Sequence, residues 1–183
     1  MILDLRAPMP QQLVVTAIGT DRTGIVSQLA RLVTDCNCNI VDSRMAIFGN
    51  EFTFIMLLSG DAAAISKIEY LLPSSAFELD LLTMSKRTSS CTLPTLSAPY
   101  IIEYTGIDRV GTLGAISSLL AEHQVYIGAL RSETLQPDPN QPPQTHTMMT
   151  VQLPQGLDSE KIKRLLQAKF NQMQLQGRFE LQS

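Results

Sequence analysis

The chain contains the same pattern twice. Leu13-Val14-Val15-Thr16-Ala17-Ile18-Gly19-Thr20-Asp21-Arg22-Thr23-Gly24-Ile25 returns as Tyr100-Ile101-Ile102-Glu103-Tyr104-Thr105-Gly106-Ile107-Asp108-Arg109-Val110-Gly111-Thr112, 87 residues on. The same interval carries Leu32 to Leu119, Ile40 to Ile127 and Arg44 to Arg131 without a gap. A constant interval over more than thirty positions marks a duplicated unit, and each unit must find its core within half of a 183-residue chain. Near the end of each half, Phe77-Glu78-Leu79 recurs as Phe179-Glu180-Leu181 at an interval of 102, which predicts a 15-residue expansion of the second copy. Proline-rich residues 137–144 suit neither a helix interior nor a central strand, so they are expected to form an exposed hairpin loop that takes up much of this gain.

Each copy reads strand, helix, strand, strand, helix, strand. Leu13 to Ile18 is short, apolar and β-branched. After Gly24 an apolar stripe runs through Ile25, Leu29, Leu32 and Cys36 at helical spacing. Ile40 to Phe48 and Glu51 to Leu58 flank Gly49-Asn50, a two-residue hairpin turn. Asp61 is placed to cap a second helix carrying Ile65, Ile68 and Leu72, with Pro73 expected to close it. Phe77, Leu79 and Leu81 then alternate with acids as a last strand, and in copy two Asp158 caps a helix with Ile162, Leu165 and Leu166. This order predicts an α+β fold of two tandem ferredoxin-like βαββαβ domains, each an antiparallel sheet with two helices on one face. The boundaries are 1–86 for the first domain, 87–99 for a linker and 100–183 for the second. On the third strand Phe52, Phe54, Met56 and Leu58 share one face, while Ile55 and Leu57 make the other partly apolar. A cover for that face, from the other copy or another subunit, points to a homo-oligomer.

Composition narrows the function classes. The formal charge of −3 and pI near 5.3 lack the basic surface that nucleic acid demands. Neither half hides such a surface, with 7 basic and 9 acidic residues before position 90 and 7 and 8 after it. The start, Met1-Ile2-Leu3-Asp4, does not read as a signal peptide, and no apolar run reaches the ~20 residues of a membrane span. Cys36, Cys38 and Cys91 form no disulfide framework. A cytoplasmic protein is expected. Cys36 continues the helix stripe, and neither His123 nor His146 stands at a metal-like spacing from a cysteine, so no metal or other cofactor is expected. Phe52 and Phe54 lack the basic and glycine context of an RNA-stacking sheet and read as core. Arg44 and Arg131 are expected either to pair with Asp42 and Glu133 or to act between copies.

The chemistry-bearing motif is the first strand–helix turn. Gly19, Asp21, Arg22, Thr23 and Gly24 sit where a helix N-terminus presents free N–H groups and partial positive charge to an anion. Asp21 and Thr23 are candidates to cap the helix, and Asp21 can receive an ammonium group. Gly106, Asp108, Arg109 and Gly111 are their equivalents in copy two. An ordinary capped turn is the alternative.

Two G-x-D-R-x-G turns in βαββαβ units resemble tandem ACT domains, the small-molecule regulatory modules of amino-acid metabolism. Cys38 to Arg44, Glu51 to Gly60, Glu78 to Leu82 and Lys86 to Thr88 resemble the bacterial family of repressors of glycine cleavage genes. That resemblance implies a non-catalytic regulator that binds no DNA itself, acts on a LysR-type transcriptional activator, and is relieved by glycine or a similar small amino acid. It also implies that the effector meets the turn of one ACT domain and the start of strand two in a neighbour, positions held here by Asn39 and, in copy two, Tyr126. Three alternatives stay open: a ligand-free ACT pair for assembly, an amino-acid sensor for another pathway, and an acylphosphatase-like enzyme, whose phosphate loop is not recognised.

Overall fold

Each half of the chain builds its own sheet around a central first strand. The structure is a computed structural model describing residues 10–89, 97–136 and 138–182; Met1–Asp4, Cys91 and Pro137 lie outside them. The elements run β1 Gln11–Thr20, α1 Ile25–Asp35, β2 Asn39–Phe48, β3 Glu51–Gly60, α2 Ala62–Glu78 and β4 Leu81–Thr88. The second unit repeats the order as β5 Tyr100–Ile107, α3 Thr112–Glu122, β6 Tyr126–Leu135, β7 Gln144–Gln152, α4 Ser159–Met173 and β8 Gln176–Leu181. The sheets are antiparallel with order β2-β3-β1-β4 and β6-β7-β5-β8, the ferredoxin-like plan. The chain divides into compact units at Cys91–Thr92. β4 continues through Arg87 and Thr88, two residues into the stretch assigned to the linker. Ser97, also from that stretch, bonds Leu153 in the second unit.

Alternation of side chains sets the core. Leu13, Val15 and Ala17 on β1 and Phe52, Phe54, Met56 and Leu58 on β3 face the helices and are buried. Helix α1 buries Ile25, Leu29 and Val33, with Leu32 only partly covered, so the buried stripe is rotated slightly from the sequence expectation. Cys36 is fully buried against this core. In the β2–β3 hairpin Gly49 alone is left-handed, at φ 64°.

Pro73 does not end α2. The helix runs on to Glu78, and Ala76, on the same stripe as Ile65, Ile68 and Leu72, is buried under the extra turn. Proline removes one helical hydrogen bond, but the packing of a continuing apolar stripe outweighs that loss. Phe77 therefore lies on the outer helix surface, 87% exposed, and the last strand begins only at Leu81.

This displaces the expected tripeptide match. Strand pairing aligns Thr16 with Met84 and Glu103 with Arg178, so β4 and β8 correspond at an interval of 94, not 102. The second copy has gained 7 residues rather than 15 by these pairings. β3 and β7 already correspond at an interval of 93, since Gly19 pairs Phe52 and Gly106 pairs Thr145, which places six of the seven in the proline-rich hairpin loop.

At those intervals the two cores exchange bulk. Copy one carries Phe52 and Phe54 on β3 against Ala17 and Ala76, whereas copy two carries Thr145 and Thr147 on β7 against Tyr104 and Phe170. Close-packed interiors tolerate such swaps when total volume is kept. Gly177 belongs to this exchange, because a Cβ there would stand 2.5 Å from the Phe170 ring.

Replacing Pro73 by Ala restores a donor to an exposed helical position without touching the core. Urea unfolding followed by circular dichroism should show the variant more stable by about 1–3 kcal/mol.

Candidate functional site

The first turn is clasped from two sides. The Asp21 N–H donates to the Asn50 carbonyl of the β2–β3 hairpin at 3.0 Å, and Arg22 Nη2 donates to the Leu79 carbonyl at the end of α2 at 2.8 Å. Gly19 lets β1 approach that second corner, since a Cβ there would lie 2.7 Å from both the Asp80 oxygen and Leu81 Cδ2. Copy two repeats the clasp: Asp108 N–H to the Pro143 carbonyl at 2.8 Å, and Arg109 Nη2 to Gln174 Oε1 at 2.9 Å. The arginines are thus committed to holding the turn.

Neither Asp21 nor Thr23 caps α1. The cap position is Gly24, left-handed at φ 91°, and it makes no side-chain hydrogen bond; Gly111 repeats it at the same φ. Moving the cap to glycine leaves the Asp21 side chain exposed beside the helix start. In copy two the Asp108 carboxylate instead accepts from Thr134 Oγ1 at 3.1 Å, and Val110 replaces Thr23 as a fully exposed apolar tip.

Asn39 lies at the opposite end of its sheet. It pairs with Ser59, level with Gln12 at the start of β1, eight residues from Thr20. At strand rise that is about 26 Å. Tyr126, paired with Gln152, is likewise at the far end from the Asp108 turn. Within one unit the structure therefore brings the turn residues together and leaves Asn39 and Tyr126 apart from them.

The open sheet faces differ more than the turns do. In the first unit Ile18, Ile55, Leu82 and Met84 are exposed there, with Asp42 and Arg44 paired to each other at the margin. In the second unit that face carries a charged network unnoticed in the sequence reading. His146 Nε2 lies 2.9 Å from Glu103 Oε1 and its Nδ1 lies 3.6 Å from Glu133. Arg178 reaches Glu103 at 2.5 Å and Glu180 at 3.2 Å, while Arg131 pairs Glu133 at 3.0 Å. The pairs foreseen for both arginines, Arg44–Asp42 and Arg131–Glu133, are present. Strand alternation of polar residues at 103, 105, 146, 178 and 180 is the signal that marks this face.

Electrostatics follow the contacts. The hydrogen bond to Glu103, with help from Glu133, raises the His146 pKa, and the bonds from His146 and then Arg178 lower that of Glu103. Burial raises the pKa of the Cys36 and Cys38 thiols, as suits packed rather than reactive sulfur. Among the described residues no group of three or more His, Cys, Asp or Glu side chains could hold a metal, and no helix is long and apolar enough to cross a membrane.

Comparison with known proteins settles the family. The ACT domain profile matches residues 11–86. The glycine cleavage system transcriptional repressor of Escherichia coli strain K12 is 38% identical over 165 residues, covering 90% of this chain and 87% of that protein. The chain belongs to this repressor family. The crystal structure of a candidate glycine cleavage system transcriptional repressor superposes with a TM-score of 0.72 at 32% identity, over 96% of this chain and 99% of that one. An unknown protein from Galdieria sulphuraria gives 0.77 at 25% identity, over 95% and 99%. Repressor-family membership over both units makes the chain regulatory, and its tandem ACT architecture is that of the superposed structure.

The His146 network gives the second unit a defined pH response. A raised histidine pKa contributes stability that is fully present below the unfolded value of about 6.5 and is lost as pH rises through the folded value. NMR titration should place the His146 midpoint above 6.5, and Glu103→Gln should bring it down. His146→Gln should flatten the decline in thermal stability from neutral to mildly alkaline pH.

Proposed function

We propose that the protein is a cytoplasmic, non-catalytic repressor of glycine-cleavage genes that acts by contact with a LysR-type transcriptional activator and is tuned by glycine. The observation that carries this reading is similarity to a named repressor across both units, joined to an acidic balance that disfavours direct DNA binding.

The turn chemistry supports an amino-acid effector in the first copy. Gly24 leaves the N-terminus of α1 without a side-chain cap, where a carboxylate is favoured, and the exposed Asp21 is available to an ammonium group. Glycine carries both charges and little else, which suits an exposed turn. The distance of Asn39 from its own turn means that a site using both takes them from two different ACT units, as in an assembly of two copies of the chain. In copy two, Val110 and the engaged Asp108 favour a structural or partner-facing turn.

Thermal-shift and calorimetric series across amino acids test the sensor. Glycine should raise the melting temperature of the full chain, while Asp21→Ala and Asn39→Ala should each weaken that response at least tenfold with the fold intact. Asp108→Ala should leave it nearly unchanged. Absence of any shift up to millimolar amino acid would leave an assembly role alone, and specific operator binding by the purified protein would overturn the adaptor reading.

A further inference from the structure

The two units differ at one edge in a way that the duplication makes easy to read. β4 and β8 are the corresponding edge strands, each beside the second helix of its unit. In the first unit Arg87 crosses from β4 to α2. Its Nε and Nη2 donate to Glu69 at 3.0 and 2.6 Å, Nη2 also reaches Ser66 Oγ at 3.0 Å, and Nη1 reaches Gln11 Oε1 at 2.9 Å. This strap ties the helix to the strand and closes the seam between them. At the interval of 94, Arg87 becomes Leu181, Glu69 becomes Lys163 and Ser66 becomes Glu160. No strap can form in the second unit from these residues.

An open groove takes its place. Between α4 and β8 lies a cavity of about 190 Å³ lined by Leu166, Phe170 and Phe179, with Lys163 and Gln167 from the helix and Gly177, Arg178 and Glu180 from the strand. Gly177 lets the Phe170 ring lie against the strand beside it, where a Cβ would stand 2.5 Å from the ring. Pockets for whole small molecules run to roughly 300–1,000 Å³, so this one holds a side chain rather than a complete ligand.

Among the described residues, no strand pairs with β8 on that side. In an antiparallel pair, alternate residues direct both N–H and C=O toward the partner. The Gln182 N–H donates to the Pro99 carbonyl on the β5 side at 2.9 Å, so residues 180, 178 and 176 also face β5. Gly177, Phe179 and Leu181 therefore direct their N–H and C=O groups outward, over the groove. The opposite edges, β2 and β6, are each interrupted by a register shift, at Ile40/Asp42 and Ile127/Ala129. β8 has no such interruption in its pairing.

Charge selects the occupant. Of the basic residues of α4 (Lys161, Lys163, Arg164 and Lys169, against the single acid Glu160), Lys163 lines the groove, and the acid there, Glu180, is paired with Arg178. Lys163 stands at the groove with only a 3.9 Å contact to Glu160. We propose that the α4–β8 groove docks an extended acidic segment of a partner protein, which adds as a fifth strand beside β8 and seats one apolar side chain over Phe170 and Phe179. Such addition draws affinity from main-chain hydrogen bonds and selectivity from the pocket and the adjacent lysine. The proposal rests on the reading that the protein works by protein contact, and it assigns that contact a place and a chemistry.

The test uses the full chain and two fluorescent six-residue probes, one alternating Asp or Glu with Leu or Val, the other with Lys in place of each acid. The acidic probe should bind saturably, shift the backbone resonances of Gly177, Phe179, Leu181 and Lys163, and bind at least tenfold more tightly than the basic probe. Leu181→Pro removes an outward N–H without touching the β5 ladder, and it should weaken the acidic probe at least tenfold while thermal stability is kept. The double variant Lys163→Glu with Leu181→Arg rebuilds the strap of copy one and should do the same. Equal binding of both probes, binding untouched by either variant, or no saturable binding at millimolar probe would overturn the proposal. So would self-association of the chain that Leu181→Pro abolishes, since the occupant would then be a second copy. Glycine stabilisation and activator co-purification are read on the same variants. Variants that lose the probe but keep the activator overturn the groove as its contact and leave the adaptor reading standing. Probe binding by a chain that captures no activator does the reverse.

Discussion

Both helices of each unit pack on the same side of its sheet, and much of the structure follows from that asymmetry. Leu13, Val15 and Ala17 on β1, like Ile102 and Tyr104 on β5, are sealed beneath helices, while the intervening residues have no helical cover. The uncovered side must be made polar or be buried by something else. The copies take different courses: the first shows Ile18, Ile55, Leu82 and Met84, and the second shows a lattice of Glu103, Glu133, His146, Arg131 and Arg178. One duplicated backbone thus offers an apolar face in one unit and a charged one in the other.

Backbone geometry has been kept more strictly than side chains. Asn37 and Gln124 are left-handed at φ 59° and 57°, Asp80 and Gln174 at 53° and 57°, and Gly24 and Gly111 both at 91°. Only the last pair is chemically the same residue. Corners of the fold impose those conformations, and the clasp from Arg22 or Arg109 persists although its acceptor changes from a backbone carbonyl to a side-chain amide. The core shows the same freedom, with ring volume moved from β3 to β5 and α4. What the duplication preserves is the shape of the chain and the total filling of each interior.

The fold was legible because strand alternation, helical stripes and an 87-residue interval all agreed. Two local signals misled. Pro73 reads as a helix stop, but a buried position at Ala76 holds the helix to the sheet beyond it. Phe77-Glu78-Leu79 looks like Phe179-Glu180-Leu181, yet the first ends a helix and the second lies in β8. Short tripeptide matches carry no information about neighbours, whereas cross-strand partners do. The turn residues of the candidate site were visible as a motif. The separation of Asn39 from them agrees with the reading that sets the turn against strand two of a neighbour, because β1 and β2 both run antiparallel to β3 and so start at the same end of the sheet, away from the turn. The His146 network was hidden, since its members come from four strands, β5 to β8, spread over the second half of the sequence.

The Arg87 strap has a consequence for how such a chain grows. A repeat whose two halves both offered a bare strand edge could pass pairing from molecule to molecule without end, as open head-to-tail contacts do. The strap braces the seam beside β4 from helix to strand, so of the two corresponding seams it is the one beside β8 that leaves a groove for an incoming side chain. The arginine thus makes two copies of one edge unequal, filling in the first the place that stays open in the second.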